Sequence, residues 1–261
     1  MPLSADPDAV RKILQTDRRW AVYALADLAP EYSAAAEWHI AAEGRPALLL
    51  IYRGFETPVL FAHGSGADLA GLLPEVAGER KFYLSMRAEA VDLLRTDRYE
   101  VRDEKRMWRM VADPARFIAR AHTAARLGPA DYEALASLYR DGDAAGEAPP
   151  FFDASMLRHG VYYGIREGGA IVAAAGTHVL AEQEGVAAIG NVYTRRDRRG
   201  RGFGAQVSGA VTGELLRLEI PTVVLNVAES NAAAIRVYER LGFARYCDYR
   251  EGRAIHRGAQ S

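Results

Sequence analysis

The sequence has a single cysteine, Cys247, among 261 residues. One thiol closes no internal disulfide and builds no cysteine-rich metal site, so no metal is expected and a reducing compartment fits. Net charge is nearly absent as well: 33 basic residues face 34 acidic ones, for a formal charge of −1. That balance gives no global attraction to nucleic acid or to a membrane surface. No apolar run reaches the roughly 18 residues that a membrane-spanning helix needs. The run at 47–52 is short, is followed by Arg53 and reads as a buried strand. The opening Met1-Pro2-Leu3-Ser4-Ala5-Asp6 lacks the basic-then-apolar pattern of a secretory signal. A cytoplasmic location is therefore expected. No repeat of solenoid period is evident.

What remains is ordinary globular composition, 49% hydrophobic and 26% charged, in a chain longer than one average domain needs. The first part mixes helix and strand signals. Val10, Ile13 and Leu14 share a helical face, as do Trp20, Tyr23, Ala24 and Leu28. Segments 46–53 and 58–63 read as a strand pair, 67–76 and 88–94 as helices, and 99–110 as a strand. His63-Gly64-Ser65-Gly66-Ala67 has histidine where a nucleophile elbow needs glycine, so it reads as a turn into a helix. A helical stretch should end at Leu127-Gly128-Pro129, with Asp131 capping the next helix, which carries Tyr132, Leu135, Leu138 and Tyr139. Segment 141–150 is small, acidic and proline-rich, which predicts a loop. Its Asp141, Asp143 and Glu147 are either solubilising charges or an attraction for a cationic amine.

The second part reads strand, strand, strand, helix, strand, helix, strand. A Gly168-Gly169 turn joins 161–167 to 170–180, and Gln183-Glu184-Gly185 leads into 186–194, giving an antiparallel meander. A helix is expected over about 202–218, a buried strand over 222–227, a helix over 231–241 ended by Gly242, and a last strand over 243–250. Between the third strand and its helix lies Arg195-Arg196-Asp197-Arg198-Arg199-Gly200-Arg201-Gly202-Phe203-Gly204. Glycines there let backbone N–H groups approach an anion at a helix start, which is a pyrophosphate site. The G-K-[ST] ending of a nucleotide-triphosphatase loop is missing, and the hairpin context argues against a dinucleotide fold. A solvated basic loop, or one that touches nucleic acid, is the other reading of those arginines.

Three blocks, in order, resemble the GNAT acetyltransferase superfamily. Arg199-Gly200-Arg201-Gly202-Phe203-Gly204 matches its Q/R-x-x-G-x-G/A loop. Ile189-Gly190-Asn191-Val192-Tyr193-Thr194 resembles its fourth strand. The stretch from Asn231 through Ala234 and Tyr238 to Gly242-Phe243 matches N-x-x-A-x-x-x-Y-x-x-x-G-F. The resemblance covers roughly residues 115–250 and implies an α/β (α+β) fold: a mixed, mostly antiparallel sheet flanked by helices, whose fourth and fifth strands splay apart. It implies acetyl-CoA as co-substrate and an amine acceptor, small molecule or peptide. The loop amides from Arg199 to Gly204, with Ala205, would hold the pyrophosphate. The strand edge Val192, Tyr193 and Thr194 would pair with the pantetheine arm at Val192 and Thr194. Asn231 would bond the cofactor near the end of that arm, and Tyr238 would protonate the departing thiolate.

The base stays open. Many relatives carry a glutamate on the fourth strand, but Val186-Ala187-Ala188-Ile189 holds no carboxylate. His178 is the first candidate, against the reading of a half-buried histidine bonded to backbone. Glu182 and Glu184 lie in the turn, Asn191 could orient a water or substrate, and a backbone carbonyl and a water chain are further routes. Cys247 lacks an adjacent His and Asp and reads as a small hydrophobe. Residues 1–124 are expected to form an α/β accessory domain and 125–261 the GNAT domain. By size and element order the first weakly resembles accessory domains of the glycine N-acyltransferase group. It is either a degenerate copy of the same fold or a dimerisation surface, so a homodimer stays open. The rival to an enzyme is a CoA-binding regulatory or scaffold module without catalysis.

Overall fold

The structure, a computed structural model, describes residues 5–41, 45–76, 78–96, 98–118, 123–143, 146–149 and 151–259. The chain divides into two units, Met1–Arg109 with Ala228–Ser230 and Tyr246–Ser261, and Met110–Val227 with Asn231–Arg245. The elements run α1 (Pro7–Leu14), α2 (Val22–Ala26), α3 (Pro30–Ser33), β1 (Ala36–Ile40), β2 (Leu48–Tyr52), β3 (Val59–His63), α4 (Gly66–Leu69), β4 (Lys81–Met86), α5 (Ala88–Leu94) and β5 (Tyr99–Ala112). They continue with β6 (Ala125–Arg126), α6 (Tyr132–Asp143), α7 (Ala154–His159), β7 (Tyr162–Glu167), β8 (Ala170–Ala181), β9 (Val186–Thr194), α8 (Phe203–Arg217), β10 (Thr222–Ala228), α9 (Ala232–Arg240) and β11 (Phe243–His256).

In the first unit the strands lie in the order β1-β2-β3-β4-β11-β5. β1, β2 and β3 form an antiparallel meander, β3 and β4 are parallel, and Arg250–Ile255 of β11 runs antiparallel to β4. Leu49, Ile51, Leu60, Phe82, Leu84, Met86, Val91 and Leu94 make its core. Each such side chain contributes about 1.5–3 kcal/mol on burial. In the second unit the order is β10-β9-β8-β7-β6, antiparallel except for β10 on β9. Leu135, Leu138, Tyr139, Leu157, Tyr162 and Ile171 form a core there beneath α6 and α7. The fold is thus mixed α/β with a mostly antiparallel sheet and flanking helices, as the sequence led one to expect. Among the described residues no helix is long and apolar enough to cross a membrane.

Several local expectations need correction. Segment 67–76 is a four-residue α4 that tightens into a 3-10 turn over Ala70–Val76. Pro74 inside that turn lacks an N–H and excludes α geometry at the residue before it. The helix expected before Leu127 is absent among the described residues: β6 sits there, pairing Ala125 with Gly164. The loop begins later than 141, because the apolar stripe Leu135, Leu138, Tyr139 extends one turn to buried Gly142, carrying α6 to Asp143. Residues 144, 145 and 150 of that loop lie outside the described set. The last strand runs six residues past Arg250, because Tyr249, Gly252 and Ala254 are buried amid its charges.

Candidate functional site

β9 and β10 pair in parallel from Thr222 opposite Val186 to Leu225 opposite Ile189. β9 then continues to Thr194 and β10 to Ala228, and the ladder between them does not. The backbone of Val192, Tyr193 and Thr194 therefore lies beyond the paired stretch, as the expected splay requires. A short 3-10 turn, Arg196–Arg198, leads from β9 towards α8. Gly200 and Gly202 follow at φ 77° and 79°, the left-handed region that glycine adopts at little cost. A Cβ at either position would meet nothing within 4 Å. The glycines are thus required by backbone conformation, and they front open space.

Gly202 is the N-cap of α8, with no side chain capping the helix. The backbone bond from Gln206 N to Gly202 O, 3.1 Å, opens the helical ladder. The N–H groups of Phe203, Gly204 and Ala205 consequently have no acceptor inside the helix. They point outward at the positive end of a fifteen-residue helix. A Cβ at Gly204 would come 3.6 Å from Thr194 Oγ1, so the strand end and the helix start are neighbours. Uncapped donors, a positive dipole end and an unladdered strand edge fit a pyrophosphate with an extended arm.

The five arginines of the turn are matched by carboxylates. Arg199 meets Glu147 at 2.6 Å and Arg196 meets it at 3.3 Å. Glu167 takes Arg198 at 2.7 Å and Arg201 at 2.9 Å, and Asp197 takes Arg195 at 2.7 Å. Bonding to Arg199 holds the Glu147 carboxyl below its usual range. Arg199 also lies over the Tyr193 ring at 5.6 Å and donates to Thr194 O at 3.2 Å. The Tyr193 hydroxyl donates to Asp141 at 2.9 Å. Five arginines thus share three carboxylates, which offsets the basic run in part; the sequence did not reveal this, since Glu147 and Glu167 lie far away along the chain.

Asn231 caps α9, its Oδ1 accepting from Ala234 N at 3.1 Å, so only its amide nitrogen can donate to a ligand. Tyr238 is 7% exposed, lies edge-on to Phe243 at 6.1 Å, and burial pushes its hydroxyl up to about 12. It is a protonated phenol throughout the physiological range. Cys247 is half-buried, and burial raises its thiol, which keeps it from acting as a thiolate. Ser65 caps α4, accepting from Asp68 N and donating to Asp68 Oδ2 at 2.5 Å, so the turn reading of 63–67 holds.

His178 and Asn191 are brought together on facing strands. The β8–β9 register slips twice, between Thr177 and Val179 and between Ala174 and Gly176. The first slip makes His178 an extra residue on β8; the second leaves an extra residue on β9 around Asn191, whose φ is 50°. Bulges of this kind re-aim side chains. His178 Nε2 lies 2.9 Å from Asn191 Oδ1. The ring sits over Gly190, where a Cβ would fall 2.2 Å from Nε2. Glu182 and Glu184 occupy the β8–β9 turn. The sequence marks Tyr139 only as part of a helix and does not single out Tyr162, yet both bond to Asn191. The adjacent Gly190-Asn191 pair within a strand was the available signal for a bulge.

The sequence profile of the acetyltransferase (GNAT) family matches residues 130–243. Over that segment, just under half of the chain, the sequence matches the GNAT acetyltransferase family. Its members move an acyl group from acyl-CoA to amine acceptors, and the matched segment contains the glycine turn, β9, Asn231 and Tyr238. Solved structures share the fold over nearly the whole chain. A GCN5-related N-acetyltransferase from Kribbella flavida is 19% identical, covering 92% of this chain and 93% of its own, with TM-score 0.62. A Drosophila protein is 13% identical over 97% and 96%, with TM-score 0.70. A tandem GNAT protein from the clavulanic acid biosynthesis pathway is 17% identical over 100% and 98%, with TM-score 0.56. No curated protein matches the sequence.

Proposed function

We propose that the protein transfers an acetyl group from acetyl-CoA to a primary amine, on a small molecule or a peptide, by direct attack in a ternary complex. The observation that carries this is the open, uncapped glycine turn at α8 beside a strand edge that has left its parallel partner. In this reading the amides from Arg199 to Ala205 hold the pyrophosphate, the Val192 and Thr194 backbone binds the pantetheine arm, and the Asn231 amide nitrogen donates near its end. The co-substrate supplies an activated thioester. An amine with an unperturbed pKa of about 10.4 arrives protonated. His178 takes that proton, the freed lone pair forms the new C–N bond, the C–S bond breaks as Tyr238 gives its proton to the departing sulfur, and the acylated nitrogen releases its second proton to water to leave the neutral amide. Both residues then exchange protons with water. The pairing of the arginines with Glu147, Glu167 and Asp197 argues against a nucleic-acid surface.

Replacement of Tyr238 by Phe tests the chemistry. A thiol-release assay should show kcat lowered about 10²- to 10⁴-fold with KM for acetyl-CoA unchanged. Because the folded pKa is raised, the acid form persists below about 12, so Tyr238 adds no falling limb to the pH profile in the ordinary assay range. An unchanged kcat removes Tyr238 from the reaction. The competing reading, a CoA-binding module without turnover, is kept alive by the lack of a carboxylate in the paired part of β9. Intact acetyl-CoA binding without turnover on any amine would favour it. Residues 1–124 are read as an accessory domain, a degenerate copy of the fold in 125–261. The repeated order of three strands, helix, strand, helix, strand in β1–β5 and β7–β11 supports that reading.

A further inference from the structure

We infer that Asn191 and Tyr162 are positioning residues that fix His178 in the tautomer able to accept a proton at Nδ1; its catalytic meaning rests on the proposed function. The chain of bonds has one consistent direction. The Tyr162 hydroxyl lies 3.2 Å from the carbonyl oxygen of Thr177, which can only accept, so the hydroxyl donates there. Its oxygen therefore accepts from Asn191 Nδ2, at 2.8 Å. This orients the amide, with Nδ2 also 3.6 Å from Met156 Sδ, and turns Oδ1 to His178. An amide oxygen accepts only, so His178 Nε2 carries the hydrogen and the neutral ring has its lone pair on Nδ1. The relay is held rigid at each end. Tyr162 is fully buried, and Tyr139 donates to Asn191 O at 2.8 Å, pinning the left-handed bulge. Gly190 leaves the ring room to lie flat on β9. A merely structural histidine needs a partner; this one has its partner's orientation fixed by a second and third residue.

The test reads the tautomer directly, from the ring nitrogen shifts of ¹⁵N-histidine-labelled protein, with His178 assigned by its loss in His178→Gln. The wild type should show Nε2–H. Asn191→Gly, which suits the left-handed backbone, should turn that into a mixture of tautomers and lower kcat/KM. Tyr162→Phe keeps the buried ring and should do the same to a smaller degree. Asn191→Asp preserves the acceptor, should retain Nε2–H, and should move the ascending limb of kcat/KM to higher pH by stabilising the imidazolium. An Nδ1–H tautomer in the wild type, or an unaltered one in folded Asn191→Gly, overturns the inference. Should the tautomers shift as expected while His178→Gln retains full kcat/KM, the positioning stands and the base assignment of the proposed function fails.

Discussion

Among the described residues a parallel strand pair stands in each unit, β3 with β4 and β9 with β10, and the two pairs end differently. In the first unit β3 and β4 part after Phe61 opposite Ser85. Trp20 fills the place: its indole N–H donates to Ala62 O at 2.9 Å, and its ring stacks on Phe61 at 5.3 Å. The guanidinium groups of Arg87 and Arg109 lie over it at 5.3 and 4.9 Å. The next turn places Ser65 as a side-chain cap on a four-residue helix. In the second unit β9 and β10 part after Ile189 opposite Leu225; the following turn has two left-handed glycines and starts a fifteen-residue helix with no side-chain cap. The same topology can thus be finished from within, by an aromatic plug and a serine cap, or left for a ligand to finish. Unsatisfied donors at a long helix start mark the second case.

The largest way to sharpen this contrast is Trp20→Ala. Trp20 is 1% exposed, so its removal should cost about 3–5 kcal/mol in denaturant unfolding. Acetyl-CoA affinity should stay within about twofold, as expected of independent sites. A large affinity loss in the folded variant would break the division of labour. Glu147→Gln should act in the opposite sense and more weakly. Its carboxylate competes with phosphates for Arg199 and Arg196, so acetyl-CoA should bind about twofold to fivefold tighter at low salt, and the gain should fade as salt screens it. Weaker binding would mean that Glu147 organises the turn instead of opposing the ligand. The smallest effect belongs to Cys247→Ser, which should leave turnover within about twofold because the proposed direct transfer uses no acyl-enzyme. A collapse of turnover with folding intact would reopen a covalent route.

The contrast also explains what could be read from the sequence. The glycine turn, the α8 start, the Asn231 cap and the Gly242 stop are local, each set by a few adjacent residues, and the motif carried them. The meander was legible from its turn glycines. Register was not: the slips that join His178 to Asn191 depend on how β8 and β9 align across the sheet. β4 went unread although its burial alternates, and the far half of β11 was hidden by charges beside Tyr249 and Ala254. Nor could apolar spacing near Trp20 tell that its ring would end a strand pair. The carboxylates Glu147 and Glu167 join the arginines only through the fold.

The central claim is that the uncapped turn binds the co-substrate, and calorimetric titration of acetyl-CoA tests it most directly. The wild type should bind one equivalent per chain. The double variant Gly202→Asp, Gly204→Asp sets carboxylates against the phosphates and should show no binding while retaining the wild-type circular dichroism spectrum. Absence of binding by the folded wild type, or undiminished binding by the double variant, would contradict the account.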